Sequence, residues 1–287
     1  MDTTKFNISH EELERIGALS GIDVSFTTDN ERSEDKTCAD DVRQLLEELG
    51  KAAFSNDGDV FARFVADNRA RIHELALYSN EVAELVVLGY KFGISAGNAG
   101  CMNDLGALYY LGDLVEQDYD KAAELYEMAM DHGCYQSIIN LGYIYEYGRT
   151  GKRDLERAYR YYALAAALAP SSEAVYKMGD MYSRGILGKQ DLSKAMALWE
   201  RSFELADGIV ELAQPAVRIA KLLIDPEAQK QGIDQNPLRA LYLFQQAEIG
   251  LRIDIQKNGM TYYQKRLEEA IAGQETARAL VEEKLIV

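Results

Sequence analysis

The sequence predicts an all-α protein, a right-handed α/α solenoid, because a helix-turn-helix pattern recurs along the chain at a fixed spacing. Three segments open on Leu-Gly or Met-Gly, and they read NDLGALYYLG, INLGYIYEYG and YKMGDMYSRG. The Leu or Met residues lie at 105, 141 and 178, so the period is 36 and then 37 residues. The Asp residues that open the second segments follow the same spacing, at 118, 154 and 191. Such a period is typical of a chain that stacks one supersecondary unit.

Composition agrees with this fold and narrows the classes of partner. Apolar residues make up 47% of the chain, and 22 Gly against only 4 Pro suit helices joined by tight turns. The formal charge is −16, from 47 acidic and 31 basic residues. That charge disfavours nucleic acid and anionic membrane surfaces and would attract a basic protein partner. The simpler interpretation, that an acidic surface keeps a helical protein in solution, stays open.

Targeting segments, metals and disulfides have no signal in the sequence. The chain has no run of about 18 apolar residues, and its first residues, MDTTKFNISHEELERIG, lack the basic and apolar parts of a signal peptide. We therefore expect a cytosolic protein. Three cysteines, Cys38, Cys101 and Cys134, form no metal-ligand spacing and no even-numbered disulfide set. We expect them to act as small buried apolar residues, with no metal and no cofactor.

The N-terminal part shows helical patterns without a clear repeat. Ser9 and Glu12 predict a capping box that opens a helix toward Leu19. Residues 20–37 have little to bury, and we expect a loop or a poorly ordered segment there. A second helix is predicted from Asp40 to about Phe54, followed by the turn SNDGD. This turn lacks two of the carboxylates of a calcium loop, so we reject that assignment.

Two further helices are predicted before the repeats begin. Residues 59–78 and 81–96 carry apolar side chains at helical spacing, which predicts a hairpin that caps the stack or forms a degenerate repeat. The predicted organisation is therefore an N-terminal helix with a flexible segment in 1–37, a helical cap in 38–97, repeats in 98–250 and C-terminal capping helices in 251–287. The last region is predicted to contain two helices, 261–272 and 274–285.

Each residue type of the repeat has a packing or turn role. The glycine of the Leu-Gly pair costs about 1 kcal/mol in a helix, so its recurrence indicates close approach of a partner helix. A second glycine, at 112, 148 and 185, is predicted to end the first helix with positive φ. The aspartates at 118, 154 and 191 are predicted N-caps of the second helix. Within that helix, small residues at 122, 158 and 195 alternate with large ones at 126, 162 and 199.

This pattern, roughly A-x-x-x-L-G-x-x-Y-x-x-G followed by D-x-x-K-A-x-x-x-Y-x-x-A, resembles the Sel1-like repeat family. That family is related to tetratricopeptide repeats and has a longer internal loop. Residues 98–133, 134–169 and 170–206 fit the pattern. A fourth copy, 209–250, is degenerate, with Ile219-Ala220 in place of Leu-Gly and a longer loop, IDPEAQKQGIDQNP.

The resemblance implies a protein-interaction module that holds a partner's peptide or helix on a concave face lined by first helices. Members of the family act as adaptors in signalling, complex assembly and protein degradation, and some bacterial members neutralise toxins. By analogy with tetratricopeptide repeats, groove positions lie two and one residues before the Leu, and two and five after it. The candidate binding residues at these positions are Asn103, Tyr110, Asn140, Tyr143, Tyr176, Lys177, Arg218 and Lys221. Asparagine can bind a peptide backbone, and the cations can bind a carboxylate on the same partner; ordinary solvated positions are the alternative.

A hydrolase on the same scaffold, of the β-lactamase-like kind, is the alternative function. His10, His73 and His132 are scattered along the chain, and only His132 has a cysteine nearby, Cys134. Side chains two residues apart on a helix face different sides, and Gly133 indicates a turn between repeat units. The related hydrolases depend on paired cysteines in every repeat, which this chain lacks. We therefore expect no enzyme activity.

Overall fold

A computed structural model describes residues 3–21, 33–55, 57–186 and 188–286. The chain divides into two compact units, Met1–Lys152 and Arg153–Val287. Every regular element in the described residues is an α-helix or a 3-10 helix, so the all-α prediction is confirmed.

The first unit, Met1–Lys152, contains eight α-helices within its described residues. After a 3-10 turn at Thr3–Phe6 they are α1 His10–Gly21, α2 Ser33–Ala53, α3 Gly58–Asp67, α4 Arg69–Ala76, α5 Asn80–Ser95, α6 Ala99–Leu111, α7 Tyr119–Asp131 and α8 Tyr135–Tyr147. Apolar side chains of α1, α2 and α5 form its N-terminal core, in which Ile16, Leu19 and Leu45 are completely buried. Arg15 on α1 binds Glu84 on α5 through two hydrogen bonds of 2.8 and 2.9 Å. The N-terminal helices thus continue the core of the first repeat.

The second unit, Arg153–Val287, contains seven α-helices within its described residues. They are α9 Leu155–Leu168, α10 Ser172–Ser183, α11 Leu192–Leu205, α12 Ile209–Ile224, α13 Pro226–Gln229, α14 Pro237–Asn258 and α15 Gln264–Ile286, with a 3-10 turn at Thr261–Tyr263. Its core is built mainly from α12, α14 and α15, where Ile219, Phe244 and Ala270 are completely buried.

Two N-terminal predictions differ from the structure. The expected loop at 20–37 lies partly outside the described residues, but α1 extends to Gly21 and α2 already begins at Ser33. The buried residues of α2, among them Leu45 and Leu49, stabilise the helix to which this first turn belongs. The single helix predicted over 59–78 is broken into α3 and α4 at Asn68, whose Nδ2 donates to the Phe64 carbonyl at 2.9 Å.

The roles predicted for the repeat residues are confirmed. A Cβ on Gly106 would lie 2.9 Å from the Tyr126 ring, and one on Gly179 would lie 2.5 Å from Nε1 of Trp199. Both glycines therefore permit close contact between the two helices of a repeat. Asp118, Asp154 and Asp191 cap the second helices by accepting from the backbone N–H three residues later, at 2.9 to 3.0 Å.

The first helix of each of the three repeats ends in the same backbone turn. The glycines at 112, 148 and 185 have φ of 69°, 63° and 66°. The residue after each glycine donates its N–H to a carbonyl five residues earlier: Asp113 to Leu108, Arg149 to Ile144 and Ile186 to Met181, at 2.9 to 3.0 Å. This is the backbone bond of a Schellman motif.

The C-terminal prediction of two helices is wrong. The helix α15 runs without interruption from Gln264 to Ile286, through Gly273. A Cβ at Gly273 would lie 2.4 Å from the Phe244 ring, so this glycine allows α15 to pack closely on α14. The residue type alone cannot distinguish a glycine that lets two helices pack closely from a glycine that ends a helix.

Candidate functional site

An amide pair joins the first helices of the first two repeats. Asn140 on α8 donates its Nδ2 to Oδ1 of Asn103 on α6 at 2.9 Å, and Asn103 donates to Oδ1 of Asp104 at 3.1 Å. All three side chains are partly exposed. Burial raises the pKa of Asp104, while the hydrogen bond from Asn103 opposes that rise. The Asn140 amide thus keeps an oxygen and a second N–H that a peptide backbone could use.

Three tyrosines surround a guanidinium at the end of α8. The Cζ atom of Arg149 lies 5.6, 5.1 and 5.4 Å from the ring centroids of Tyr110, Tyr119 and Tyr147. Its Nε donates to the Tyr110 hydroxyl at 3.3 Å. Tyr143, a predicted binding residue, stacks on Tyr147 with ring planes 8° apart. We call Tyr110, Tyr119 and Tyr147 the tyrosine cage.

A cavity of about 210 Å³ lies beside α6 in the first unit. Its polar lining includes Asp113, whose Oδ2 lies 3.3 Å from Arg69 and 3.2 Å from Nε2 of His73. Tyr90 and Asp104 also line it, and burial raises the pKa of Tyr90. Because Arg69 and His73 already contact Asp113, the polar groups of this lining join α4 to the turn after α6.

The candidate residues of the second unit lie in a different environment. Tyr176 and Lys177 are only 6% and 4% exposed, and the Lys177 ammonium lies 5.7 Å from the centroid of the Tyr162 ring. Both side chains are therefore buried, contrary to the exposed groove positions predicted for them. Lys221 is exposed and lies 3.0 Å from Glu269 on α15.

Arg218, the remaining candidate of the second unit, is engaged within the protein. Its guanidinium binds both carboxylate oxygens of Asp180, at 2.5 and 2.7 Å, and also donates to Gln214. Nε1 of Trp199 donates to the same carboxylate at 3.1 Å, and the Tyr176 ring lies under the guanidinium at 4.6 Å. We call Asp180, Trp199 and Arg218, with Tyr176, the aspartate network. This network joins α10, α11 and α12 by internal bonds.

The analogy with tetratricopeptide repeats overestimated exposure at one row of positions. Two residues before the Leu, the later repeats carry Ile139, Tyr176 and Val217, which are all buried. Five residues after it, Glu146 is also buried. Asn103 at the first of these positions and Tyr110, Ser183 and Ile224 at the second stay partly exposed, so burial at both positions varies from repeat to repeat. The positions one before and two after the Leu are more exposed, except for the buried Lys177.

Within the described residues, His132 and Cys134 lie on either side of a turn. His132 ends α7, Cys134 precedes α8, and Gly133 between them has φ of 88°, so the predicted turn is confirmed. Cys101 is buried, and burial raises the pKa of its thiol to about 12, which opposes thiolate formation. Cys38 and Cys134 are only partly buried, contrary to expectation.

Within the described ranges, no group of three His, Cys, Asp or Glu side chains is placed to hold a metal ion. None of the helices in the same ranges is both long and apolar enough to cross a bilayer.

Sequence reasoning missed Arg149, Tyr119 and Tyr147. Tyr110 and Tyr147 lie near the ends of successive first helices but differ by one residue in repeat register, and Tyr119 follows the Asp118 cap. The repeat register therefore gave no signal that these rings converge. The residue at the turn had no such signal either, because its side-chain direction depends on the Schellman geometry.

The helices, their turns and their close contacts define the class of protein, a helix-turn-helix repeat protein of the α/α type. The family model of the Sel1 repeat matches residues 99–134, 136–170, 172–207 and 229–248. Over these residues the chain contains Sel1 repeats. In the degenerate fourth copy the match covers the loop and the first half of α14, and it omits α12.

Curated relatives match parts of the chain. The mouse (Mus musculus) protein sel-1 homolog 2 is 31% identical over 130 residues, 45% of this chain and 18% of that protein. HRD3B of Arabidopsis thaliana, an ERAD-associated E3 ubiquitin-protein ligase component, is 39% identical over 66 residues, 23% of this chain and 11% of that protein. The chain therefore spans less than a fifth of the length of either relative.

Two solved structures are also similar. A Sel1 repeat protein from Oxalobacter formigenes is 20% identical with a TM-score of 0.49, over 82% of this chain and 99% of that one. A protective antigen of uropathogenic Escherichia coli strains with an SLR fold is 15% identical with a TM-score of 0.42, over 83% and 64%.

Proposed function

We propose that the protein is a non-catalytic interaction scaffold that binds another protein on the partly exposed side chains Asn103, Asn140 and Tyr143 of α6 and α8. One observation carries this proposal: the residues that recur in every repeat are used for packing and turns, whereas Asn103, Asn140 and Tyr143 beside them vary and are partly exposed. Variable exposed positions on an invariant frame are the usual recognition surface of repeat proteins.

Family membership supports the same role. Sel1 repeat proteins generally mediate protein-protein interaction, and the Arabidopsis relative is described as a component of a ligase assembly. Because the match covers only 11% of that relative, its partners are not transferred to this chain. From the similarity to this relative we propose only that the chain acts as a scaffold.

The chemistry of the surface favours an extended or helical segment with basic side chains. The amide of Asn140 can both donate to and accept from a backbone, as a clamp on such a segment requires. The formal charge of −16 attracts a basic partner and speeds its encounter. A regulatory or toxin-neutralising adaptor in the cytosol fits this chemistry, and the partner's identity distinguishes the two.

The test compares Asn140→Ala with Asn80→Ala. Asn80 is an exposed asparagine in the first turn of α5, so its loss removes the same amide from the same unit. We expect Asn140→Ala to weaken partner binding about tenfold, which corresponds to about 1.4 kcal/mol for lost backbone hydrogen bonds. Asn80→Ala should bind as the wild type does.

The measurement is affinity capture from an extract of the source cells, quantified by mass spectrometry, followed by calorimetry with the purified partner. Thermal melts of both variants control for folding, since the Asn140 side chain is only partly buried. If every protein captured by the wild type is captured equally by Asn140→Ala, the surface is misassigned.

A further inference from the structure

The environment of Arg149 is unusual for a cation in this protein. The chain contains 47 acidic residues, yet no carboxylate of the described residues forms an ion pair with Arg149. Its guanidinium instead contacts the tyrosine cage, with three ring centroids within 5.6 Å and one phenol that accepts from Nε. The hydrogen bond to Tyr110 raises the pKa of Arg149, and burial opposes the rise.

Arginines elsewhere in the chain show the contrast. Arg15, Arg69, Arg160 and Arg239 each bind an acidic side chain at 2.6 to 3.3 Å. In the next repeat toward the N-terminus, the position equivalent to Arg149 is Asp113, which binds Arg69 and His73. The turn that carries Arg149 therefore faces aromatic rings, whereas the preceding turn faces an arginine and a histidine.

The rings have the geometry of a cation-binding site. Tyr110 and Tyr119 pack edge to face at 5.4 Å with planes 67° apart, so they form two walls of a corner. Tyr147 contributes the third wall and is itself held by stacking on Tyr143 at 6.0 Å. Aromatic walls around a guanidinium or a quaternary ammonium attract it through the ring quadrupoles.

The geometry points to a second role for the tyrosine cage: it is a binding site for an arginine side chain of a partner protein, and Arg149 is its internal occupant. This inference rests on the proposed scaffold function, because the partner segment that reaches Asn140 and Tyr143 also reaches the cage. The occupant is an arginine because the cage already holds a guanidinium, whose Nε–H donates to the Tyr110 hydroxyl.

Arg149 is suited to be displaced. It is exposed, it follows Gly148 in a surface turn, and its side chain is held without a carboxylate. Its tether gives it a high local concentration, so it competes with any free guanidinium and lowers the apparent affinity of the cage. A partner arginine that arrives with other contacts can replace it, and the freed Arg149 returns to solvent.

The experiment measures methylguanidinium binding to the full chain by NMR of isotope-labelled tyrosine rings, at constant ionic strength. We expect Arg149→Ala to bind the probe at least about tenfold more tightly than the wild type, because the internal competitor is gone. Adding Tyr147→Leu to that variant should remove the gain. Arg160→Ala is the matched control, since it also deletes one exposed arginine and one positive charge.

The inference is overturned if Arg149→Ala binds the probe no better than Arg160→Ala does. Arg149→Gln, which keeps a polar side chain at the turn, provides a second test should the alanine variant melt at a lower temperature. The two proposals can fail separately. If Asn140→Ala loses partner capture but Arg149→Ala leaves probe binding unchanged, the cage proposal is wrong and the scaffold proposal stands.

Discussion

The first helices of the two units use equivalent positions in opposite ways. In the second unit, Asp180 and Arg218 bind each other and also Trp199, so the charges are satisfied inside the protein. In the first unit, Asn140 and Tyr143 occupy the corresponding row and remain partly exposed. A repeat position therefore has no fixed chemistry: in the second unit it carries charges that pair within the protein, and in the first unit it carries a neutral amide and a phenol.

The largest effect expected from this comparison is on the aspartate network. Arg218→Ala leaves the Asp180 carboxylate, only 16% exposed, without its main partner, and we expect a loss of about 3 kcal/mol in the free energy of unfolding. Urea denaturation measures it. The control is Arg160→Ala, whose ion pair with Glu156 is more than 70% exposed on both sides and should change stability by less than about 0.5 kcal/mol. Similar losses in the two variants would contradict the division between internal and surface charges.

An intermediate effect is expected at the glycines of the repeat. A Cβ on Gly179 would lie 2.5 Å from Trp199 and 3.2 Å from the Ala195 carbonyl, so both a ring fixed by the aspartate network and a backbone atom oppose it. We expect Gly179→Ala to cost about 2 kcal/mol.

Gly106→Ala in the first unit provides the comparison. Its Cβ would meet only Tyr126 and Leu125 side-chain atoms, at 2.9 to 3.3 Å, and alanine recovers about 1 kcal/mol of helix propensity. The change in unfolding free energy should therefore be close to zero. Equal destabilisation by both variants would show that the network does not stiffen the contact at Trp199.

The smallest effect concerns the helix caps, where the two units should agree. The backbone N–H of Lys121 lowers the pKa of Asp118, and that of Lys194 lowers the pKa of Asp191. A carboxylate whose folded pKa is lowered stabilises the protein above its unfolded pKa, near 4, and that contribution is lost as the pH falls through the folded pKa.

Asparagine caps a helix without titrating. At pH 7 we expect Asp118→Asn to be less stable than the wild type by a few tenths of a kcal/mol, since its cap is kept and only charge is lost. Below about pH 4 the difference should disappear or reverse, and Asp191→Asn should show the same trend. Thermal melts between pH 3 and 7 measure both. A difference independent of pH would mean that the carboxylate charge adds nothing to these caps.

The repeats could be predicted from the sequence because local chemistry determines them. Asp118 caps, Gly112 turns and Gly106 permits contact whichever repeat follows, so each has a recognisable pattern. The candidate surface could be predicted only in part: Asn103 and Asn140 are partly exposed, as expected of surface positions, but Lys177 is buried. Its burial depends on which side chains neighbouring helices contribute, and no periodicity within one repeat contains that information.

The Schellman turns have a consequence for how such a chain can change. Three turns share one backbone bond, and the residues that follow their glycines are an aspartate, an arginine and an isoleucine. Because the turn is closed by main-chain atoms, the attached side chain contributes nothing to its closure. Single substitutions of the residue after the glycine can therefore change the side chain at this turn without opening its backbone hydrogen bond. The turn is for this reason a natural place for related chains to diverge in the partners they recognise.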